Sequence, residues 1–198
     1  MVDHLGNLVD GDQILYVLAA DRRRRGQLDG PVVGTLMSNL GLEIALGEIG
    51  AGFHRAKVGD RYVLELLRET GGKLGGETSG HILCLDKTTT GDGLVTALQV
   101  LAVMRETGRS LADLTAGMRR FPQVLINVRT ARRLDLGSST PVRSAVDRVK
   151  DQLGRRGRVV LRPSGTEPVV RVMVEGEDEG EIRQLAEQIA RVVADEAA

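Results

Sequence analysis

Apolar residues fall along this chain at two spacings, and the alternation between them lays out the elements. Ile14, Leu15, Val17 and Leu18 recur at helical spacing behind Asp10 or Asp12 as cap, and Arg22, Arg23, Arg24, Arg25 and Gly26 close that helix. Residues 31–37 read as a strand, followed by a helix capped by Ser38 or Asn39 and carrying Leu42, Ala45, Leu46 and Ile49. Residues 53–58 read as a second strand, and Asp60 caps a third helix with Val63, Leu66 and Leu67 on its apolar face. A glycine-rich segment, residues 71–80, leads into the apolar run 81–85. Asp92 opens a fourth helix with Leu94, Ala97, Leu98, Leu101 and Met104, and residues 111–118 form a short fifth. Strands alternating with helices at this spacing predict an α/β layer built on a largely parallel sheet.

The pattern changes near residue 120. Residues 123–129 read as a strand, 131–139 as a polar loop, and Thr140-Pro141 as a helix cap with proline at the first helical position. Val142, Val146, Val149 and Leu153 follow at helical spacing, with Gly154 as the stop. Two apolar strands, around 159–161 and 169–174, precede a last helix with Ile182, Leu185, Ile189 and Val192. The order β-α-β-β-α predicts a small two-layer α+β domain. Residues 1–9 stand apart as two short strands around Gly6-Asn7. A hairpin this small is marginal in water, so it reads as the trailing edge of a preceding domain and is expected to fray.

Composition adds limits to this outline. A chain of 198 residues can build one large core or two small ones. Aromatics make up only 2% and Trp is absent, so the cores rest on Leu, Val, Ile, Ala and Met. Residues 120–198 hold 14 basic and 12 acidic side chains, a net +2, and the remainder carries −2. Neither half has the charge excess of a nucleic-acid surface. The arginines at 22–25 therefore read as a solvated helix end, where cations suit the dipole, and anion recognition is expected to be local. The single Cys84 excludes an internal disulfide and lies in an apolar run, as a buried and inert thiol. No apolar run reaches the roughly 18 residues of a membrane span, so a cytoplasmic protein without membrane or nucleic-acid partners is the expectation.

Two short stretches carry the chemistry. Arg162-Pro163-Ser164-Gly165-Thr166-Glu167-Pro168 lies between the last two strands. Ser164 and Thr166 offer O–H donors, Gly165 lets a backbone N–H approach closely, and Arg162 supplies a charged fork suited to phosphate oxygens. Arg171, alone among apolar residues of the next strand, needs a partner. The stretch reads as a phosphate-binding loop, or as a plain hairpin in which Arg162 pairs with Glu167. In Gly75-Gly76-Glu77-Thr78-Ser79-Gly80-His81, glycines flank a carboxylate, two hydroxyls and an imidazole. That set suits a sugar grip; the alternative is a flexible loop with Glu77 in water and His81 packing at the start of the next strand. No second Cys or His stands at metal-ligand spacing, so no metal site is expected.

In this order, and about 85 residues apart, the two stretches resemble the α-D-phosphohexomutase superfamily. There a GE-x-SGH loop grips the sugar in the third domain and an R-x-SGTEP loop binds phosphate in the fourth. Residues 9–14, 34–39, 57–63, 85–93 and 171–176 narrow the resemblance to a bacterial branch acting on glucosamine phosphates, over essentially the whole chain. The resemblance implies a three-layer α/β domain with a mixed sheet over 10–119 and a two-layer α+β domain (β-α-β-β-α) over 120–198, with 1–9 left from the domain before. It implies reversible conversion of glucosamine 6-phosphate and glucosamine 1-phosphate for cell-wall amino sugars. A phosphoserine donor, a bisphosphorylated sugar intermediate and Mg²⁺ would serve that reaction. Glu77 and Ser79 would bind sugar hydroxyls, with Thr78, where relatives usually carry Asn, Gln or Met, also facing the sugar. His81 would stand by the transferring phosphoryl group, and Lys57, Gly59 and Arg61 would border the sugar pocket. Arg162, Ser164, Gly165, Thr166 and Arg171 would hold the non-reacting phosphate. The superfamily's TASHNP-like serine loop and DGDGDR-type metal loop do not occur in this sequence. The chain alone is therefore expected to bind an amino-sugar phosphate without turning it over, and a non-catalytic sugar-phosphate-binding protein is the alternative. An oligomer is compatible with either.

Overall fold

Asp10 begins the first helix, α1 (Gly11–Arg24), with a reciprocal cap. Its carboxylate accepts from the Gln13 N–H at 3.0 Å, and the Gln13 side chain accepts from the Asp10 N–H at 3.2 Å. The computed structural model describes residues 1–130, 136–164 and 167–197, which divide into two units, Met1–Arg120 and Phe121–Ala198.

In the first unit α1 is followed by β1 (Val32–Thr35), α2 (Leu40–Glu48), β2 (Phe53–Ala56), α3 (Asp60–Thr70), β3 (Leu74–Gly76), β4 (Ile82–Cys84), α4 (Gly93–Thr107) and α5 (Leu111–Thr115). The sheet order is β2-β1-β3-β4, with β1 parallel to both neighbours and β4 antiparallel to β3. Successive side chains of a strand point to opposite faces, and β1 shows the result. Val32 packs with Leu15, Leu42, Leu46 and Val100, whereas Val33 packs with Val63 and Leu67 of α3. The sheet thus lies between α3 on one face and α1, α2, α4 and α5 on the other, the expected three-layer arrangement with a mixed sheet.

Four local readings change. The strand β3 lies inside the glycine-rich segment: a Cβ on Gly75 would sit 2.7 Å from the Val33 carbonyl oxygen and 2.9 Å from Val63, so only glycine lets β3 close on β1 and α3. The cap of α3 is Gly59 (φ 128°), not Asp60, which is the first helical residue. The helix α4 buries Thr96, Val100 and Val103 and exposes Leu94, Leu98 and Leu101; a helix apolar on several sides gives periodicity no means of choosing. The arginine run is exposed at Arg23, Arg24 and Arg25, as expected of a helix end, but not at Arg22. Arg22 is buried and pairs with Asp86 at 3.0 Å, Arg24 and Arg25 pair with Asp21, and Arg23 donates to the Ile49 carbonyl.

At the start of the chain, Val2 and Leu8 form an isolated antiparallel bridge, and the Asp3 carboxylate accepts from the Leu5 and Asn7 N–H groups. Val9 joins the core beneath α1.

The second unit runs β5 (Gln123–Arg129), α6 (Thr140–Leu153), a 3₁₀ turn (Gly154–Arg156), β6 (Gly157–Pro163), β7 (Val169–Gly176) and α7 (Glu179–Ala197). This is the expected β-α-β-β-α order, with an antiparallel sheet β5-β7-β6. Val170, Val172 and Val174 of β7 face α6 and α7, packing with Val142, Val149, Ile182 and Ile189. The cap of α6 is Ser139, which accepts from the Val142 N–H, so Thr140 is the first helical residue and Pro141 the second. Part of the polar loop read from the sequence, residues 131–135, lies outside the described residues.

Candidate functional site

In the first unit β1, β2 and β3 run parallel, so their carboxyl ends share one edge, where open α/β sheets bind ligands. The sugar-loop candidates sit there. Glu77, Thr78, Ser79 and Gly80 form the tip of the β3–β4 hairpin, whose last pair is Gly76 with Ile82. The tip folds on itself: the Gly80 N–H donates to the Glu77 carbonyl at 2.9 Å, and the Glu77 N–H donates to the His81 carbonyl at 3.0 Å. Gly80 has φ of 99°, a left-handed conformation that favours glycine. Glu77 reaches the turn after β2, where its Oε1 accepts from the Gly59 N–H at 3.0 Å. One carboxylate oxygen is thus anchored, and Oε2 remains an acceptor. Ser79 is exposed at the tip.

Gly59 opens α3 beside this loop. Lys57 is exposed, with its Nζ 5.6 Å from the centre of the Tyr62 ring. Arg61 is exposed in the first turn of α3. His81 places Nε2 at 3.6 Å from Asp60 Oδ2, too far for a hydrogen bond, and that nitrogen is buried with no hydrogen-bond partner among the described residues. The backbone of Gly91 lies against the ring, where any Cβ would collide with it. Lys57, Gly59, Glu77 and His81 are therefore gathered at one edge. Two residues that the sequence reading passed over join them: Tyr62, and Asp60 as a neighbour of His81 rather than a helix cap.

Thr78 departs from the expectation that it faces the sugar. Its hydroxyl donates to Asp12 Oδ2 at 2.8 Å, and its carbonyl accepts from the Gly11 N–H at 3.0 Å. Asp12, fully buried in the first turn of α1, also accepts from the Asn39 N–H at 2.8 Å. Burial pushes the Asp12 carboxyl above its ordinary 3.8, opposed by hydrogen bonds from Asn39 and Thr78 and assisted by Asp10.

In the second unit the phosphate candidates lie on the sheet face opposite α6 and α7. Arg162 on β6 stands directly across from Arg171 on β7, and Asn127 on β5 completes the row. Like charges in direct cross-strand register repel. The plain-hairpin pairing of Arg162 with Glu167 is not found. It is Arg171 that approaches Glu167, at 3.6 Å, and no carboxylate pairs with Arg162 among the described residues. Burial, and then the adjacent Arg171, push the Arg162 pKa below its ordinary value, yet a guanidinium stays charged at any physiological pH. Arg171 Nε is buried without a hydrogen-bond partner among the described residues. Ser164 is buried and donates its N–H to the Val169 carbonyl at 2.7 Å. Gly165 and Thr166 lie outside the described residues. Asn127, whose place in the row depends on strand register, was not legible in the sequence.

Among the described residues no three His, Cys, Asp or Glu side chains come together to hold a metal ion, and no helix is long and apolar enough to cross a membrane. The Mg²⁺ of the resemblance thus has no fitting donor set among them.

Residues 10–121 match the family model "phosphoglucomutase/phosphomannomutase, alpha/beta/alpha domain III", and residues 125–192 match the model of that family's C-terminal domain. Phosphoglucosamine mutase of Methylococcus capsulatus is 57% identical over 98% of the chain, and that of Methylobacillus flagellatus 58% over all of it. The chain spans 43% and 44% of the length of these two relatives. Aspergillus fumigatus N-acetylphosphoglucosamine mutase, solved in complex with GlcNAc-6P and magnesium, shares the fold at a TM-score of 0.82 and 20% identity, over all of this chain and 46% of that one. With two family domains matched in order over nearly its whole length, the chain belongs to the phosphoglucomutase/phosphomannomutase family, the α-D-phosphohexomutases, and carries its domain III and C-terminal domain.

Proposed function

We propose that this chain supplies the ligand-recognition part of a phosphoglucosamine mutase, which interconverts glucosamine 6-phosphate and glucosamine 1-phosphate. The first unit carries the sugar-recognition loop and the second the phosphate-recognition loop. The arginine pair carries this reading: two guanidiniums in direct register, one of them with no carboxylate partner among the described residues, suit the charge of a phosphate group. Arg162, Arg171 and Ser164, with Gly165 and Thr166 of the same loop, hold the non-reacting phosphate. The intermediate has to present either phosphate to the donor, and charge with rotatable hydroxyls suits both orientations better than a shaped pocket. Glu77 Oε2 and Ser79 meet sugar hydroxyls, while Lys57, Gly59 and Arg61 border them. His81 stands near the transferring phosphoryl group as a hydrogen-bond or proton partner. The 57% identity to phosphoglucosamine mutases supports glucosamine phosphate as the ligand class.

Calorimetric titration of the chain with glucosamine 6-phosphate tests the proposal. Binding is expected, and Arg162→Ala is expected to weaken it by about 1.5–3 kcal/mol, the range for a charge-assisted hydrogen bond. Absence of heat at millimolar ligand, or an Arg162→Ala variant that binds as well as the parent, overturns it.

A further inference from the structure

We infer that Asp12 is a positioning residue for the sugar loop, acting through the Thr78 hydroxyl to set where Glu77 and Ser79 stand; the inference rests on the sugar reading of that loop. Asp12 belongs to a different segment from every residue so far given a role, and three observations converge on it.

First, Asp12 is fully buried, where an ionisable carboxylate is costly unless hydrogen bonds compensate. The hydrogen bonds that offset part of that cost come from outside its own helix, chiefly from the Asn39 N–H at 2.8 Å and the Thr78 hydroxyl at 2.8 Å. Asn39 is itself the cap of α2, accepting from the Gly41 N–H at 3.0 Å. Asp12 thus ties the start of α2, after β1, to the hairpin tip after β3. Second, a backbone bond runs beside the side-chain bond. The Gly11 N–H donates to the Thr78 carbonyl at 3.0 Å, so Thr78 is held from both sides by the first turn of α1. Third, the contact is close enough to demand glycine. A Cβ on Gly11 would run into the Glu77 carbonyl oxygen and lie 2.8 Å from the Gly80 nitrogen. The first turn of α1 therefore serves as the seat of the hairpin tip. Thr78 faces that seat, which turns its neighbours Glu77 and Ser79 to other sides of the tip.

Thr78→Val tests this, since it keeps the shape of the side chain and removes only the hydroxyl; Thr78→Ser restores it. Amide hydrogen exchange of the ligand-free protein is the first readout. Thr78→Val is expected to speed exchange at Gly11 and Gly80 by about five- to tenfold, the worth of one hydrogen bond, leave β1 amides unchanged, and lose the effect in Thr78→Ser. Unchanged exchange at Gly11 and Gly80, or a Thr78→Ser variant as fast as Thr78→Val, overturns the seat. Titration is the second readout. Thr78→Val is expected to bind glucosamine 6-phosphate about five- to tenfold more weakly, with Thr78→Ser close to the parent and inorganic phosphate affinity within twofold in all three proteins. Altered exchange with parental sugar-phosphate affinity overturns the positioning role. A parent that binds no sugar phosphate sinks the sugar reading instead, and exchange still decides whether Asp12 seats the loop.

Discussion

A buried carboxylate fixes the sign of one pH effect. Asp12 has a folded pKa above its ordinary 3.8, because burial outweighs the hydrogen bonds that oppose it. The native state therefore takes up its proton more readily than the unfolded chain. Ionised Asp12 lowers stability above its folded pKa, and that loss is relieved as pH falls through the folded value toward 3.8. Compared with Asp12→Asn, the parent is expected to gain unfolding free energy as pH drops through this window, measured by denaturant titration at a series of pH values. A flat or opposite difference rejects the assignment. Arg162 makes the complementary case. Arg162→Leu is expected to lose phosphate binding while leaving the ligand-free protein as stable as the parent or more so, because it ends a like-charge contact with Arg171; thermal melting with and without phosphate separates the two effects. Both arginines were evident from the sequence as candidates. Their opposition was not, since it depends on a register that no single strand specifies. Asp12 was read as a possible cap, and its bond to Thr78 spans 66 positions.

Among the elements, helix starts were legible to within a residue or two, with Gly59 and Ser139 capping α3 and α6 one residue before the Asp60 and Thr140 read from the sequence. Asp10, Asn39 and Asp92 each cap the helix that follows, because a short oxygen-bearing side chain ahead of an apolar periodic run satisfies the free first-turn N–H groups. The strand β3 was hidden because glycine is depleted in strands, and here it is required by what β3 must pass. Gly75→Ala is expected to cost about 1–3 kcal/mol, the usual penalty of overfilling a packed site, seen as a lower thermal midpoint. Unchanged stability is the contrary result. The neighbouring β4 makes its own test. Cys84 is buried and its thiol is pushed above its ordinary pKa chiefly by burial, so the reactive thiolate is scarce and shielded. Native protein at pH 8 is expected to resist iodoacetamide and to take one label when denatured; rapid labelling of folded protein contradicts this.

At the scale of the whole molecule, the matched domains follow the order in which sugar and phosphate loops were read. Periodicity alone supplied the two classes of fold, an alternating α/β layer and a β-α-β-β-α layer; the third layer and the mixed sheet came from the resemblance, and only the structure shows that β4 is the antiparallel strand, because single strands carry no record of their partners. Phosphoryl transfer calls for a donor group and stabilisation of developing charge, and no serine loop or metal loop of the superfamily type occurs among the 198 residues. Assayed alone with Mg²⁺ and glucosamine 1,6-bisphosphate, this polypeptide is expected to bind the substrate without forming glucosamine 1-phosphate at ordinary enzyme rates. Product formation in a coupled assay contradicts that.

The row of Asn127, Arg171 and Arg162 occupies three adjacent strands, so its spacing is set by the interstrand distance of about 4.8 Å. On the reading proposed above, such a row acts as a ruler rather than a mould: it sets the spacing of the donors and makes no contact with the carbon skeleton behind the anion. Sulfate esters of hexoses are then expected to compete with the phosphate esters in a titration. Retuning the protein to a new hexose becomes a matter of redesigning the β3–β4 tip, with the ladder left untouched.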